Sequence, residues 1–296
     1  MVQDEVRGRQ AHIAVAVGVL AVSAAAIFIR LAEAPALAVA FWRCALGAVI
    51  LLPPAVARRE KFPKGRTLYV ALASGVALGA HFGFWISSLD YTSVAASVVL
   101  VSTQPVFVAI LAYLLLGERT SPLSFTGILV ALAGTAVIAG DGSVGSAAIF
   151  GNVLALLGAI TVAVYVLIGR SSRTGGVGVL PYSIVVYSAA ALSLLGATLL
   201  SGHPLWGYSA ETWLWLLAIT LGPQLMGHTV LNWALLYVEA SIVSGTILAE
   251  PVASAFLAWL ILSEKPGLPT VFGGCVVLAG LFLLLRGYRI RAEPIA

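Results

Sequence analysis

"TILAEPVASAFLAWLILSEK", Thr246 to Lys265, reads as an apolar helix of membrane-crossing length interrupted by one carboxylate, Glu250, set directly before Pro251. Nearly the same phrase stands earlier as "LVSTQPVFVAILAYLLLGER", Leu100 to Arg119, with Gln104 before Pro105. An acidic residue at mid-helix costs roughly 3 kcal/mol on membrane-insertion scales, so Glu250 has to face water, meet a cation or hold a proton. Each proline removes a backbone donor and loosens the turn before it, freeing carbonyls near Val101 and Ile247 for a ligand or a bending helix.

The repetition extends outward without a gap. A shift of 146 positions lays Tyr91 on Tyr237, Pro105 on Pro251, Glu118 on Glu264, Gly127 on Gly273 and Gly134 on Gly280. A shift of 140 lays Arg30 on Arg170, each at the end of an apolar run. The rest of the 296 residues fits this pattern: 60% are hydrophobic, 9% are charged, and the mean hydropathy is +1.04. Such a chain lacks the polar surface of a soluble domain, and the bilayer is its solvent.

A window of roughly 20 apolar residues yields ten spans, at 11–31, 35–56, 67–88, 92–116, 122–140, 147–169, 179–200, 211–235, 239–262 and 269–287. The first imitates a signal peptide, but its run of about 18 to 20 residues exceeds a usual h-region, and it has a counterpart in mid-chain. The expected fold is therefore an all-α integral membrane protein: ten transmembrane helices arranged as two five-helix repeats, residues 1–142 and 143–296. Because five is odd, the second copy enters the membrane from the opposite side, which makes the repeat an inverted one. With the N-terminus in the cytoplasm, thirteen Lys and Arg fall on the cytoplasmic side and two, Arg30 and Lys265, on the other. Both termini are thus expected in the cytoplasm.

Polar residues spaced by three, four or seven mark helix faces turned away from lipid. The third span carries Ser74, His81, Trp85 and Ser88, the eighth carries Gln224, His228 and Asn232, and the ninth carries Thr246, Glu250 and Ser254. Ser97 and Gln104 on the fourth, Ser23 on the first and Tyr165 on the sixth add to these. The candidate cavity set is Ser23, His81, Trp85, Ser97, Gln104, Tyr165, Gln224, His228, Thr246 and Glu250. The fifth and tenth spans hold glycines and other small residues and read as scaffold. Helix rise puts Glu250 about 16 Å above the cytoplasmic start of its span and Arg43 about 12 Å below the outer start of its own. Those depths coincide, which motivates an Arg43–Glu250 ion pair. Three readings of Glu250 stand open: a structural pair, a substrate contact or a proton-coupling group. Arg43, Pro105, Pro251, Glu118 and Glu264 form a second group, structural or gating.

Enzymatic chemistry has no foothold in this pattern. There is no phosphate-binding glycine-lysine loop, no lysine in any span and no facing pair of aspartates. Cys44 and Cys275 lie in apolar runs without metal-ligand spacing, so no metal and no cofactor is implied. The short basic stretches speak of membrane orientation and not of nucleic acid. The expected partners are the bilayer and a small-molecule substrate; the oligomeric state stays open, a monomer included.

The paired segments Thr103–Ile138 and Ala249–Leu284 each carry the proline, an apolar run, a Glu-basic pair, a glycine and a closing Ala-Gly, and Arg43 sits in "FWRCALG". In these features the chain resembles the EamA-type branch of the drug/metabolite transporter superfamily. That resemblance implies a ten-helix exporter in the bacterial plasma membrane, working by alternating access. It is most similar to exporters of amino acids, the aromatic type included, with multidrug or other metabolite efflux as the alternative. A non-transporting membrane receptor or scaffold is the reading outside that class. The orientation is open to a direct check: a fluorescent protein fused after Ala296 should fluoresce and alkaline phosphatase there should be inactive, with the opposite pair of results for fusions at Pro204.

Overall fold

The computed structural model describes residues 2–92, 97, 100–139, 146–262 and 267–292. Every regular element among them is helical. The chain runs through α1 (Val2–Ser23, resuming as Ala25–Ala32), α2 (Ala36–Ala57), α3 (Arg66–Ser88), α4 (Gln104–Leu116) and α5 (Pro122–Ala139). It continues through α6 (Ser146–Thr174), α7 (Val179–Leu200), α8 (Ala210–Ala234 in three segments), α9 (Ala240–Leu262 in three segments) and α10 (Leu268–Ala292). Seven of these helices are long and apolar enough to cross a membrane, and three shorter apolar helices, 104–116, 122–137 and 271–287, complete ten. The expected junction of the repeats at 142/143 and the residues Glu264 and Lys265 lie outside the described residues.

Packing follows the sequence repeat. When α1–α5 are exchanged with α6–α10, the contact of α3 with α6 becomes that of α8 with α1. Likewise α3 with α7 becomes α8 with α2, and α4 with α6 becomes α9 with α1. The pairs α2–α7, α4–α9 and α5–α10 map onto themselves. This is the pattern of two five-helix repeats related by a pseudo-two-fold axis.

The most extensive contact is between α5 and α10. A Cβ on Gly127 would meet the backbone of Leu284 and Gly280, and one on Gly134 would meet the backbone of Val277 and Gly273, each closer than 3.0 Å. Glycines at matching positions of both copies thus let the two helix backbones touch. In lipid, where no hydrophobic force draws helices together, such close packing supplies the association. Ser124 Oγ adds a hydrogen bond across the seam to the Leu284 carbonyl at 2.9 Å.

Four helices break or restart along their length. In α8, Pro223 lacks an N–H and crowds the preceding turn, and residues Thr220–Thr229 widen into a π-helix. In α9, the turn before Pro251 tightens into a 3₁₀ segment, Ile247–Ala249, and a fresh α-helical segment starts at Glu250. Residue for residue, α4 starts afresh at Gln104 with Pro105 in its first turn. In α1, the break falls after Ser23, whose carbonyl accepts a hydrogen bond from Ser254 Oγ at 2.7 Å.

Filling the glycine seam tests its weight: Gly127→Leu or Gly280→Val should destabilise the protein by about 1–3 kcal/mol through overpacking. The expected readout is a lowered melting temperature in detergent, whereas Gly196→Ala, at a site with open space beside it, should leave melting unchanged.

Candidate functional site

The two fresh helix starts, Gln104 and Glu250, converge on one cavity between the repeats. Its walls come from α1 (Val22, Ala25), α2 (Arg43), α3 (His81, Trp85), the turn into α4 (Val101, Ser102, Gln104), α6 (Val162, Tyr165, Val166), α8 (His228, Leu231, Asn232, Leu235) and α9 (Val243, Ser244, Ile247, Glu250). Helices α5, α7 and α10 contribute nothing to it. Glu250 opens the last α-helical segment of α9, its backbone N–H bonded back to the Ile247 carbonyl through the 3₁₀ turn.

Arg43 sits opposite in character. It is 1% exposed, and its Nε donates to Gln224 Oε1 at 2.8 Å. Its guanidinium lies 3.9 Å from the centroid of Phe82, an attractive cation–π arrangement in a medium without water. Gln224 is itself fixed: Gly47 leaves room for its side chain, and its backbone carbonyl accepts from the Tyr187 hydroxyl at 3.2 Å. The π-helical turn of α8 delivers Gln224 to this place. The expected Arg43–Glu250 pair is not what the structure holds. No ion pair within 4.0 Å joins them; Gln224 holds the guanidinium's Nε and Phe82 lies against its face.

Aromatic rings line the same cavity. His81 and Trp85 stack with an interplanar angle of 5° and a centroid distance of 5.9 Å, and His228 stands 6.0 Å from Tyr165 and 5.2 Å from Phe82. His81 Nδ1 donates to the Gly158 carbonyl at 2.9 Å, which leaves Nε2 as the ring's second polar atom. Asn232 Nδ2 donates to the Tyr165 hydroxyl. Four buried polar atoms of the lining have no hydrogen-bond partner: Arg43 Nη1, Trp85 Nε1, Ser102 Oγ and Gln104 Oε1. Buried polar atoms are rarely left unsatisfied in native proteins, and such a cluster around a cavity suits water or a polar ligand.

Of the candidate cavity residues, His81, Trp85, Gln104, Tyr165, His228 and Glu250 line this cavity, and Arg43 joins them from the second group. Four others do not. Ser23 Oγ is spent on the Val19 carbonyl at 2.7 Å, and Thr246 Oγ1 on the Val243 carbonyl at 2.8 Å. Ser97 Oγ bonds Ser88 Oγ at 2.6 Å, and Gln224 stands behind Arg43. Ser74, on the same stripe as His81, is turned to the Tyr182 hydroxyl at 2.6 Å. A hydroxyl in a membrane helix readily bonds the carbonyl one turn back, so its spacing says little about where it points. Asn232, expected on the inward face of the eighth span, lines the cavity too, as do Ser102 and Ser244, which no spacing singled out. The four-residue spacing from Gln224 and His228 was the available signal for Asn232; the two serines carried none. Pro105 and Pro251 act through the helix breaks, Glu118 lies near the end of α6, and Glu264 lies outside the described residues.

A larger opening, of about 510 Å³, lies between α2, α3, α6 and α7. Its walls are mainly apolar, with Asp90 and His203 as its charged and titratable members. It lacks the convergence of unpartnered polar atoms that marks the central cavity.

The EamA-like transporter family profile matches the chain twice, over residues 9–140 and 149–286. An uncharacterized transporter of Archaeoglobus fulgidus is 28% identical over 288 residues, covering 92% of this chain and 96% of the relative. The pseudopaline exporter CntI of Pseudomonas aeruginosa is 26% identical over 261 residues, covering 86% and 88% respectively. A solved crystal structure superposes with a TM-score of 0.78 at 20% identity, covering 95% of this chain and 99% of that one. Two family matches that together span most of the sequence, on ten helices packed as two repeats, establish that this multi-pass membrane protein belongs to the EamA-like transporter family.

Proposed function

We propose that this protein is a secondary carrier that exports small zwitterionic metabolites, amino acids foremost, by alternating access of the central cavity. The observation that carries this reading is the separation of Arg43 from Glu250 within one cavity, with four unpartnered polar atoms around them. An amino acid complements that arrangement. Its carboxylate suits Arg43 Nη1, Trp85 Nε1 and the Ser102 hydroxyl, which are donors; its ammonium suits Glu250 and Gln104 Oε1, which accept. A bound zwitterion would join the two charges that the protein alone keeps apart. Export is the direction named for the Pseudomonas aeruginosa relative. The distribution of Lys and Arg supports a plasma-membrane location with both termini in the cytoplasm.

One observation favours a second substrate class. The wall of His81, Trp85, Tyr165 and His228 would also suit a flat aromatic cation anchored on Glu250, as in multidrug efflux.

Counterflow separates the two. Protein reconstituted in liposomes loaded with unlabelled amino acids should take up labelled amino acids at equal pH on both sides, saturably and with side-chain dependence. Uptake of hydrophobic cations alone would favour the second class, and exchange of neither by folded protein would remove both. Glu250→Gln and Trp85→Phe should each lower counterflow, the former by roughly tenfold or more, as befits a charge-assisted contact. Their expression and melting should stay close to the parent; equal losses of transport and protein level would contradict the assignment.

A further inference from the structure

At one end of the central cavity an ion pair ties helix ends together. Arg170, near the end of α6, directs Nε to Glu118 Oε1 at 2.7 Å and Nη1 to the Leu235 carbonyl at 2.5 Å. Glu118 follows the end of α4, and its Oε2 accepts the backbone N–H of Ala240 at 3.4 Å. Leu235 ends α8 and Ala240 begins α9. The pair therefore joins the ends of four helices, α4, α6, α8 and α9. Those helices carry Gln104, Tyr165, Asn232 and Glu250 into the cavity. Leu235 also lines it, as does Val166, one turn before Arg170.

Each charge stands where the helix ends favour it. The guanidinium meets a carbonyl left over at the C-terminus of α8, and the carboxylate meets an N–H left over at the N-terminus of α9. Both side chains are 16% exposed, so the pair is better shielded from water than an ordinary surface pair. Parting the helix ends would break the ion pair and strip both helix termini together. The repeat assigns Arg30 as the counterpart of Arg170 at the opposite membrane face, and there Arg30 is exposed.

We propose that the Glu118–Arg170 pair is the inner gate of the carrier, holding the cytoplasmic ends of α4, α6, α8 and α9 together and opening the cavity to the cytoplasm when it breaks. This rests on reading the central cavity as the transport site, but not on which substrate occupies it.

The test uses the full chain in membrane vesicles of both orientations, with Cys44→Ala and Cys275→Ser as background and Ser244→Cys as a reporter in the cavity. A membrane-impermeant maleimide reads how readily the reporter is reached from each face. Glu118→Gln and Arg170→Gln should each raise labelling from the cytoplasmic face by roughly tenfold, the population shift expected from losing one charge-assisted contact. The exchanged pair E118R/R170E should bring the rate back toward the parent. Glu118→Asp, which keeps the charge but withdraws the carboxylate by one methylene, keeps the test decidable should the neutral variants fail to fold, and it too should raise the rate. Unchanged labelling in folded variants would overturn the gate, as would an exchanged pair that labels like the single variants. Since labelling needs no substrate, a failure of the amino acid reading shows in counterflow alone, and a failure of the gate shows in labelling alone.

Discussion

A guanidinium held in the middle of an apolar bundle, within one cavity with a carboxylate and yet not joined to it, is the constraint on which the site depends. An arginine at this depth costs roughly 3 kcal/mol on insertion scales, and the simplest relief would be contact with the nearest acid. Here Gln224 and Phe82 hold Arg43 instead, while Glu250 sits at the start of a helical segment. The backbone breaks make this possible. Pro223 widens α8 so that Gln224 reaches α2, and Pro251 restarts α9 with Glu250 at its tip. A charge pair locked together would be a strut; the same charges kept apart in a cavity can be bridged by something that carries both signs.

Around that centre the repeat divides labour. The α5–α10 pair, whose matching glycines bring backbones into contact, has no polar atoms in the cavity and forms a fixed seam. Helices α4 and α9, broken at equivalent prolines, contribute their fresh N-termini to the cavity, and their far ends meet the ion-paired tie. A carrier needs both kinds of part: a seam that keeps the halves together and helices that can tilt around a site near the midplane.

Much of the fold was legible in the chain itself. Span length, the 146-residue shift and the odd number of helices per copy lead to ten helices in two inverted repeats without any tertiary information. The glycines at 127, 134, 273 and 280 announced the seam. The site was legible only in part, for a physical reason. Large polar side chains such as His81, Gln104, His228 and Glu250 are expensive in lipid and so reveal their facing by spacing alone. Ser23 and Thr246 bond carbonyls of their own helices and Ser97 bonds Ser88 on α3, so spacing alone did not place them. The partner of Arg43 could not be read either. Depth along straight helices favoured Glu250, whereas the π-helical turn at Pro223, which no spacing rule anticipates, brought Gln224 instead.

A cavity that takes a molecule by its two opposite charges should show this in direct binding. Calorimetry on the purified protein would compare phenylalanine with its methyl ester, which lacks the carboxylate, and with N-acetylphenylalanine, which lacks the ammonium. The free amino acid should bind measurably and each derivative roughly tenfold or more weakly, one charge-assisted contact being lost in each case. Equal binding of all three would contradict it, and so would binding that follows the aromatic ring and ignores both charges.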